Sequence, residues 1–530
     1  MTFQNAVRFE GTVTMPSTRR LVCTRNFDLD TYAAAFGDEL EGFRRGVQAL
    51  FNFTDHVVFD LSGRKIEVDA PINVAAITGQ TSFSTRRVIS NGQLAAIAST
   101  AWDDVEVSSV ATYATSNPLR LTGVANVANI PVGARVTGAG VGREVYVRGK
   151  NVGAGTVTLS APLWNAAGTR TFTFTRFKYL LDFSGFDTLS RFELTDLELT
   201  CAGRCSAVML PDAGLTFRLA DCVINAPKDR GITSIGEGCA GLIVDQCQFL
   251  SNEQALPAQN RRSIALNANG NDVKLRDNRV VRFAHFAVLG GENVMMIGNH
   301  FFQGDDQNNG VRQAGVVLMR TNPKAMLTGN YIDNCFIEWT NEQDAAPDQS
   351  NEFSFGGLTL TGNIFLCSDV TSGFRFIVVR PRGPNHFING LTVSGNIFRA
   401  TSGNIDRVEK VDSTNAGLDL ARMRNLVFDG NTFHGVTQAT MCPVTVSHTQ
   451  NTEAATWTVD GSAFLPFGGM ALTVTSVVAD GEVRTTANAL RHDAPQVALR
   501  QGTGEDRVQL RWPVAVRGRA RVTLRCDTPV

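Results

Sequence analysis

Five acidic or histidine side chains each follow a repeated asparagine at a similar distance; the asparagines are at positions 278, 299, 330 and 363. Each lies six to eight residues after the preceding asparagine of the set; they are His285, Asp305, Asp306, Glu338 and Asp369. If the asparagines mark successive turns of a solenoid, these side chains share one face and are spaced about 5 Å per turn. Two carboxyl groups about 5 to 10 Å apart are typical of glycoside hydrolases, where one is the acid and the other the base or nucleophile. We therefore predict these five residues as catalytic candidates, the competing interpretations being a polar surface turn around QGDDQNNG and a structural histidine.

Aromatic and charged residues after Glu338 are candidates for binding a sugar. The segment EWTNEQDAAPDQSNE, residues 338–352, places Trp339 beside five acids, among them Glu342. An apolar sugar face packs well on a Trp ring next to polar groups. Basic residues further along offer contacts to an acidic glycan; they are Arg375, Arg380, Arg382 and His386. The alternatives are a solvated acidic loop and simple ion pairs between this loop and the arginines.

An internal repeat predicts the elements that position these residues. Nine segments share alternating apolar residues, then Gly or Asp, then Asn or a small residue, then another apolar pair; their equivalent positions are Cys222, Cys247, Asn278, Asn299, Asn330, Asn363, Asn396, Asn431 and Ser462. Periods of 21 to 35 residues indicate a solenoid, a propeller or an array, and a unit this short disfavours the propeller. The period-two alternation of Val, Ile, Leu, Phe and Thr favours strands, and Gly-Asn favours a tight bend between them. We therefore predict an all-β chain, a single-stranded right-handed parallel β-helix in which the asparagines form a hydrogen-bonded ladder.

Other segments are predicted to cover or extend the β-helix. From Asp30, the segment DTYAAAFGDELEGFRRGVQALF carries one apolar stripe and predicts a single helix that covers the end of the β-helix, with Asp30 or Thr31 as its N-cap. A Gly/Val/Thr-rich stretch, residues 117–176, breaks the repeat and predicts an inserted small β-module. The strictly alternating, Arg-rich end predicts a β-sandwich or trimerisation module, although its arginines also fit one solvated strand face. The predicted divisions are an extension 1–25, cap and first coils 26–116, the insertion 117–176, the β-helix 177–467 and the C-terminal module 468–530.

Composition excludes several classes of function. A net charge of -1 over 530 residues argues against a nucleic-acid-binding protein, which needs concentrated Lys and Arg. The sequence predicts no membrane span, because it contains no apolar run of about 18 residues, and its N-terminus lacks the apolar core of a signal peptide. The ten cysteines are scattered without a zinc-site spacing, so we expect buried free thiols and no metal. No Gly-rich phosphate loop occurs in a strand-to-helix context, so no cofactor is predicted.

The cap segment followed by HVVFDLSGRKIEVDAPINV resembles the pectate-lyase-like β-helix superfamily over about residues 26–465. That superfamily holds lyases, hydrolases, epimerases and phage tailspikes, so the resemblance implies a fold and does not select an activity. Gly304-Asp305-Asp306 looks like the acidic pair of polygalacturonase-type hydrolases, whose Arg-Ile-Lys segment is missing here. Arg380-Pro381-Arg382 is similar to the arginine segment of pectate lyases, without their calcium-binding aspartates. The insertion resembles small β-modules of phage tail and spike proteins.

These observations predict a tailspike-like or tail-fibre-like component of a phage or phage-like particle that binds a cell-surface polysaccharide. The resemblance implies a homotrimer that is attached to tail or baseplate proteins. We expect synthesis in the cytoplasm and exposure on the particle outside the producing cell, without membrane insertion. Whether the glycan is also cleaved is left open. A free polysaccharide lyase or glycoside hydrolase is one alternative, and a non-catalytic structural fibre or adhesin is the other.

Overall fold

The computed structural model describes residues 27–350 and 352–529, together with residues 14 and 16 and two short strands that pair in parallel, Thr2–Phe3 and Val22–Cys23. The rest of the predicted extension 1–25 lies outside the described residues. No helix in the described part of the chain is long and apolar enough to cross a membrane.

Two sets of parallel strands form the body of the molecule. One is a ten-stranded sheet, named here the ten-stranded flank, with the strands Ile72–Asn73, Tyr179–Asp182, Ser206–Met209, Arg230–Thr233, Ile264–Ala268, His285–Leu289, Ala314–Leu318, Phe336–Thr340, Ile377–Arg380 and Glu409–Val411. The other, named here the bent flank, has the strands Phe27–Asp28, Val58–Val68, Arg87–Ala96, Phe192–Thr200, Arg218–Ala220, Val223–Asn225, Ile243–Asp245, Gln248–Leu250, Lys274–Arg276, Arg279–Val281, Met295–Ile297, His300–Phe302, Ala325–Thr328, Tyr331–Asp333, Leu358–Thr361, Ile364–Cys367, Asn389–Ser394, Ile397–Ala400, Arg424–Asp429 and Thr432–His434. Successive coils pair in parallel on both flanks. The fold is therefore the right-handed parallel β-helix that the repeats predict.

The predicted asparagine ladder is confirmed. Each ladder Nδ2 donates to the Oδ1 of the next coil at 2.9 to 3.0 Å, through the series Asn278, Asn299, Asn330, Asn363, Asn396 and Asn431. The residue before each one has a positive φ of 53 to 66°; these residues are Asp277, Gly298, Gly329, Gly362, Gly395 and Gly430. Glycine and, to a lesser extent, aspartate tolerate this left-handed conformation, so the chain turns sharply and the asparagine points inward.

The N-terminal cap consists of two helices, so the prediction of one continuous helix is wrong. Leu29–Phe36 ends at Gly37 with φ 73°, and Glu39–Asn52 begins after Asp38, whose side chain accepts from the Glu41 backbone N–H at 2.7 Å. The first helix is capped by Asp28 rather than by the two predicted residues. The apolar residues of both helices pack on the same core, so the apolar stripe continues from the first helix into the second. Phe36 is an exception, because 49% of its surface is exposed. A short helix, Val74–Thr78, follows.

The insertion forms a separate antiparallel sheet, named here the inserted module. Its six strands, in sheet order, are Arg135–Thr137, Gly168–Arg176, Val105–Tyr113, Arg120–Thr122, Thr156–Leu159 and Val147–Asn151. These strands enclose their own apolar cluster, which includes Phe172, Phe174 and Leu159. The sheet begins at Val105, before the predicted boundary at residue 117, because the first strand pairs with the last across the whole module.

The C-terminal part is one six-stranded antiparallel sheet with the strands Val444–Asp460, Thr473–Ala479, Val483–Thr485, Leu490–Arg491, Gln496–Gln501 and Arg507–Arg525. The segment WTVDGSAF around Ser462 was predicted as a ninth coil, and this is wrong. Its strand residues pair antiparallel with Arg507–Arg525, as in Trp457 with Leu510. Alternating apolar residues predict a strand but do not choose its partner. The sheet's buried face joins the β-helix core, as does Cys526.

Short elements complete the chain. The strands Ser82–Phe83 and Thr188–Leu189 pair in parallel, and single 3₁₀ turns occur at Thr100–Trp102, Val127–Asn129, Ala258–Asn260, Leu420–Arg422 and Pro466–Gly468. The nine cysteines whose side chains the structure describes are all buried and free, as predicted.

Candidate functional site

A polar cleft lies where the inserted module meets the outer side of the ten-stranded flank. Its volume is about 610 Å³. The charged and aromatic side chains that line it are Arg135, Arg143, Glu144, Trp164, His285, Arg312, Phe336, Glu338, Glu342, Arg380 and Arg382. The two walls come from segments that are distant in the chain, so the cleft exists only because the module docks on the β-helix.

The module reaches the β-helix through a turn between its strand Arg135–Thr137 and Tyr146. At Gly142 a side chain would place its Cβ 2.5 Å from the carbonyl oxygen of Glu342, so the close approach requires glycine here. The next residue, Arg143, then extends toward the acidic residues of the flank. This turn therefore brings a guanidinium group to the floor of the cleft.

Arg143 bridges the two glutamates of the cleft. Its Nε donates to Glu342 Oε1 at 2.6 Å, and its Nη2 contacts both Glu342 and Glu338. From the other side, Nη1 of Arg380 lies 3.1 Å from Oε2 of Glu338, and Nη2 of Arg382 lies 3.1 Å from Oε2 of Glu342. Burial opposes the ionisation of Glu342, but the two arginines hold its pKa below the usual value. The cleft therefore contains two adjacent carboxylates, of which Glu342 is kept ionised.

His285 lines the same cleft as an uncharged side chain. Its Nδ1 lies 2.6 Å from the carbonyl oxygen of Ala314, so this nitrogen carries the proton and donates it. Burial, and then the charge of Arg143, lower the pKa of His285 to about 4. At neutral pH its Nε2 is therefore a free base that can accept a proton or a hydrogen bond.

The five predicted catalytic residues divide between two places. Glu338 and His285 line the cleft, whereas Asp305, Asp306 and Asp369 lie on the adjacent rim. The single cluster expected from the register is not formed, because the segments that follow the ladder asparagines differ in length and path. After two of the ladder asparagines, the chain soon reaches a strand of the ten-stranded flank, at His285–Leu289 and at Phe336–Thr340. In the coil between them, a loop over residues 303–313 comes before the flank strand.

The three rim aspartates have different surroundings. Asp305 accepts from the backbone N–H groups of Ala258 at 2.6 Å and Gln307 at 3.1 Å, and it pairs with Arg312. Burial opposes its ionisation, yet these donors hold the pKa of Asp305 below the usual value. The side chain of Asp306 is 92% exposed, and that of Asp369 accepts from the Ser402 hydroxyl at 3.1 Å. Both carboxylate oxygens of Asp305 therefore already accept hydrogen bonds, and its partner Arg312, not Asp305 itself, lines the cleft.

Two of the predicted sugar-binding residues are inaccessible, and these predictions are wrong. Trp339 is 0% exposed and donates from Nε1 to the carbonyl oxygen of Arg320 at 2.8 Å, because alternation along its strand turns it into the core. His386 is 1% exposed; its Nε2 donates to the carbonyl oxygen of Pro347 at 2.7 Å, and its Nδ1 accepts from the Ser354 hydroxyl at 2.9 Å.

The remaining predicted sugar-binding residues lie in two places. Glu342, Arg380 and Arg382 line the cleft, whereas Arg375 does not and pairs with Asp406 at 3.0 Å. The pairing of Arg382 with Glu342 follows the alternative interpretation, in which the arginines neutralise the acidic loop.

Sequence reasoning missed the module's contribution to the cleft. Trp164 is half-buried, and the guanidinium carbon of Arg382 lies 4.6 Å from its ring centre. The only local signal was a single tryptophan in a segment otherwise rich in Gly, Ala and Thr. Nothing local indicated Arg135, Arg143 or Glu144. Within the described residues, no group of three or more His, Cys, Asp or Glu side chains is placed to hold a metal ion.

Known structures with a similar course of the chain are tailspike proteins of an E. coli bacteriophage, HK620. A variant solved in complex with a pentasaccharide matches with 11% identity and a TM-score of 0.39, covering 94% of each chain. A double variant matches with 10% identity and a TM-score of 0.41, covering 92% of this chain and 90% of that one. A third variant, in complex with a hexasaccharide, has 10% identity, a TM-score of 0.41 and coverages of 94% and 93%. No protein-family model and no curated protein matches the sequence. The assignment of the fold rests on the strand pairing described above.

Proposed function

We propose that this chain is a spike or fibre component of a phage or phage-like particle, and that it binds a cell-surface polysaccharide in the cleft between the inserted module and the ten-stranded flank. The cleft itself is the observation that carries the proposal. Its volume of about 610 Å³ is in the range of sites for small organic ligands, and a polysaccharide would thread one segment through it.

The chemistry of the cleft suits a carbohydrate. Half-buried Trp164 offers a ring for the apolar face of a sugar, while the arginine side chains offer donors for hydroxyl groups. Glu338 and Arg380 lie on strands of the flank and Arg143 lies on the tightly docked turn, so the positions of these side chains are set before a ligand arrives. Preorganisation of this kind reduces the entropy cost of binding.

A role on a particle is supported by the architecture. A parallel β-helix is a stiff solenoid, and a further sheet extends its C-terminal end. The sequence pattern of the insertion resembles small modules of phage tail and spike proteins. We propose that three copies assemble side by side and attach to tail or baseplate proteins. The exposed apolar side chains Met326, Ile364 and Ile397 on the bent flank, each 40 to 44% exposed, fit an assembly in which this flank is covered.

Cleavage of the bound glycan is the second candidate function, as a glycoside hydrolase or a polysaccharide lyase. Glu338 and Glu342 both contact the guanidinium of Arg143, so their carboxylates are close neighbours. Glu342, which is kept ionised, suits a base or nucleophile, and the neutral His285 suits a base. The rim residues Asp305, Asp306 and Asp369 remain catalytic candidates of lower rank, because they do not line the cleft.

The test combines mass in solution with glycan binding. Purified full-length protein is measured by light scattering, then mixed with a panel of bacterial capsular and lipopolysaccharide glycans whose chain length is followed over time. We expect a trimer that binds at least one glycan. If it also shortens that glycan, Glu338→Gln and Glu342→Gln should abolish shortening, while Glu67→Gln, an exposed carboxylate at the N-terminal end, should not.

The other results separate the alternatives. Binding without shortening leaves a receptor-binding fibre. A monomer that binds and shortens a glycan contradicts the spike and supports a free enzyme. A protein that binds no member of the panel contradicts the glycan-binding function and supports a structural fibre.

A further inference from the structure

We infer that the cleft is selective for an acidic glycan, and that Arg135 is the side chain that receives its anionic group. This inference rests on the proposed function, because it names the class of polysaccharide that the same cleft would bind.

The first observation is the charge balance of the cleft. With the charged partners directly behind its walls included, six arginines face five carboxylates; they are Arg135, Arg143, Arg230, Arg312, Arg380 and Arg382 against Glu144, Glu338, Glu342, Asp305 and Asp412. His285 adds no charge at neutral pH. Among these groups the arginines exceed the carboxylates by one, in partly desolvated surroundings, where charge interactions are stronger than in water.

A further cation lies behind Arg312. Arg261 is 2% exposed and donates to the carbonyl oxygens of Leu256, Gln303 and Gly304, and it forms no ion pair within the described residues. Burial, together with Arg282 and Arg312, lowers the pKa of Arg261 to about 10, so it stays charged at neutral pH. Its charge adds to the positive potential at this end of the cleft.

Arg135 differs from the other arginines of the cleft. Four of them pair with carboxylates, whereas Arg135 forms no ion pair in the part of the chain that the structure describes. Its guanidinium carbon lies 5.2 Å from the ring centre of Phe177, and its Nε has no hydrogen-bond partner. Phe177 thus holds this guanidinium group at the cleft without pairing it with a carboxylate. Because Nε is buried, the terminal N–H groups are the donors that a ligand would contact.

The anionic group could be a carboxylate or a phosphate. A guanidinium group binds both through paired N–H donors. A uronic or ulosonic acid carries its carboxylate on the sugar ring, so the ring could pack near Trp164 while the carboxylate faces arginine. A phosphodiester that links two sugars also carries one negative charge, but it has no carboxylate on the sugar ring. The experiment distinguishes these two sources.

The experiment uses the full-length protein and the panel of surface glycans described above, divided into acidic and neutral members. For each acidic glycan that binds, a carboxyl-reduced form is prepared, in which uronate and ulosonate carboxylates become alcohols and phosphates are kept. Affinity is measured from about 50 mM to about 500 mM NaCl, because screening weakens contacts between charges. Arg135→Gln is compared with Arg120→Gln, an exposed arginine of the inserted module that does not line the cleft.

We expect binding to acidic glycans only. Arg135→Gln should lose about tenfold or more in affinity and show a weaker salt dependence, whereas Arg120→Gln should not change. Arg135→Gln leaves no carboxylate unpaired, so folding should be unaffected and circular dichroism serves as the check. Loss of binding after carboxyl reduction identifies a carboxylate, and retention identifies a phosphate. Binding to neutral glycans with Arg135→Gln unaffected overturns this inference and leaves the proposed function in place, whereas binding to no glycan overturns the proposed function itself.

Discussion

The carboxylate of Glu144, on the inserted module, accepts two hydrogen bonds from the guanidinium of Arg230, on the ten-stranded flank, at 2.7 and 2.9 Å. Both side chains are almost completely buried, with 3% and 2% of their surface exposed. The hydroxyl of Tyr146 donates to the same carboxylate at 2.6 Å. Burial opposes the ionisation of Glu144, but Arg230 holds its pKa below the usual value. This pair anchors the wall of the cleft that the module supplies.

Glu144→Gln should loosen the module. The substitution leaves the buried charge of Arg230 without a counter-charge, and we expect a loss of about 3 kcal/mol in the free energy of unfolding. Urea unfolding measures this loss, and faster proteolysis at the edges of the module shows where it occurs. Asp212→Asn, which breaks the partly exposed pair with Arg148, is the control and should cost less than about 1 kcal/mol. Equal costs for the two variants would contradict the anchoring role of Glu144.

The asparagine ladder should carry much of the stability of the coils. Asn363 donates to the carbonyl oxygen of Leu327 at 2.8 Å and to Asn396 at 3.0 Å, and it accepts from the backbone N–H of Asn330 at 3.0 Å. Asn363→Ala leaves these buried groups unpaired, at an expected cost of about 3 kcal/mol. Asn404→Ala, at an exposed position, should change stability by less than about 0.5 kcal/mol in the same urea titration. A small effect at both positions would contradict a stabilising ladder.

Asp333 should make the fold less stable above about pH 6 than at about pH 4. It lies between Phe302 and Leu366 on the neighbouring coils, and burial raises its pKa to about 6. Because this pKa is above that of the unfolded chain, the protonated form favours folding, and stability falls as the pH rises from about 4 to above about 6.

Asp333→Asn should therefore raise the free energy of unfolding at about pH 8 by about 1 kcal/mol, a value reduced for partial exposure, and change it little at about pH 4. Unfolding in urea at the two pH values measures this difference. Asp429→Asn, an exposed carboxylate on the same flank, controls for the loss of a surface charge. A gain that is the same at both pH values would contradict the explanation.

Trp164 should contribute to glycan binding without supporting the fold. Its ring is half-buried at the cleft, and Arg382 packs against it. Trp164→Ala should weaken the affinity for a bound glycan about tenfold and leave the unfolding transition nearly unchanged. Calorimetric titration measures the affinity for the glycan. Tyr331→Ala, which removes a half-buried aromatic on the bent flank, is the matched control. An unchanged affinity in Trp164→Ala would place the glycan elsewhere.

The coil pattern could be predicted from sequence because it is local and repeated. Each coil contacts mainly its two neighbours, so the same alternation and the same Gly-Asn bend recur, and stacking places equivalent residues together, as in Asn330 and Asn363. The limit of this reasoning appears at Trp457, whose alternating segment belongs to an antiparallel sheet. Alternation indicates that a segment is a strand, while the partner strand depends on the rest of the chain.

The inaccessibility of Trp339 was also within reach of the sequence. Along the strand Phe336–Thr340, Ile337 and Trp339 share one side and Glu338 the other, so an outward Glu338 implies an inward Trp339. The positions of Asp305 and Asp369 could not be predicted from the sequence, because the irregular loops after the ladder asparagines do not follow the register of the coils.

Sequence alone thus determined the β-helix, its ladder and several residues of the ten-stranded flank, since these follow from contacts between adjacent coils. Only the tertiary structure decided that Arg143 bridges Glu338 and Glu342, and that Arg135 and Trp164 line the same cleft. The contacts of Arg143 join residues about 200 positions apart in the chain, since Arg143 and Glu342 are separated by 199 positions. They depend on how a separately folded module docks on the flank, and no local pattern encodes that packing.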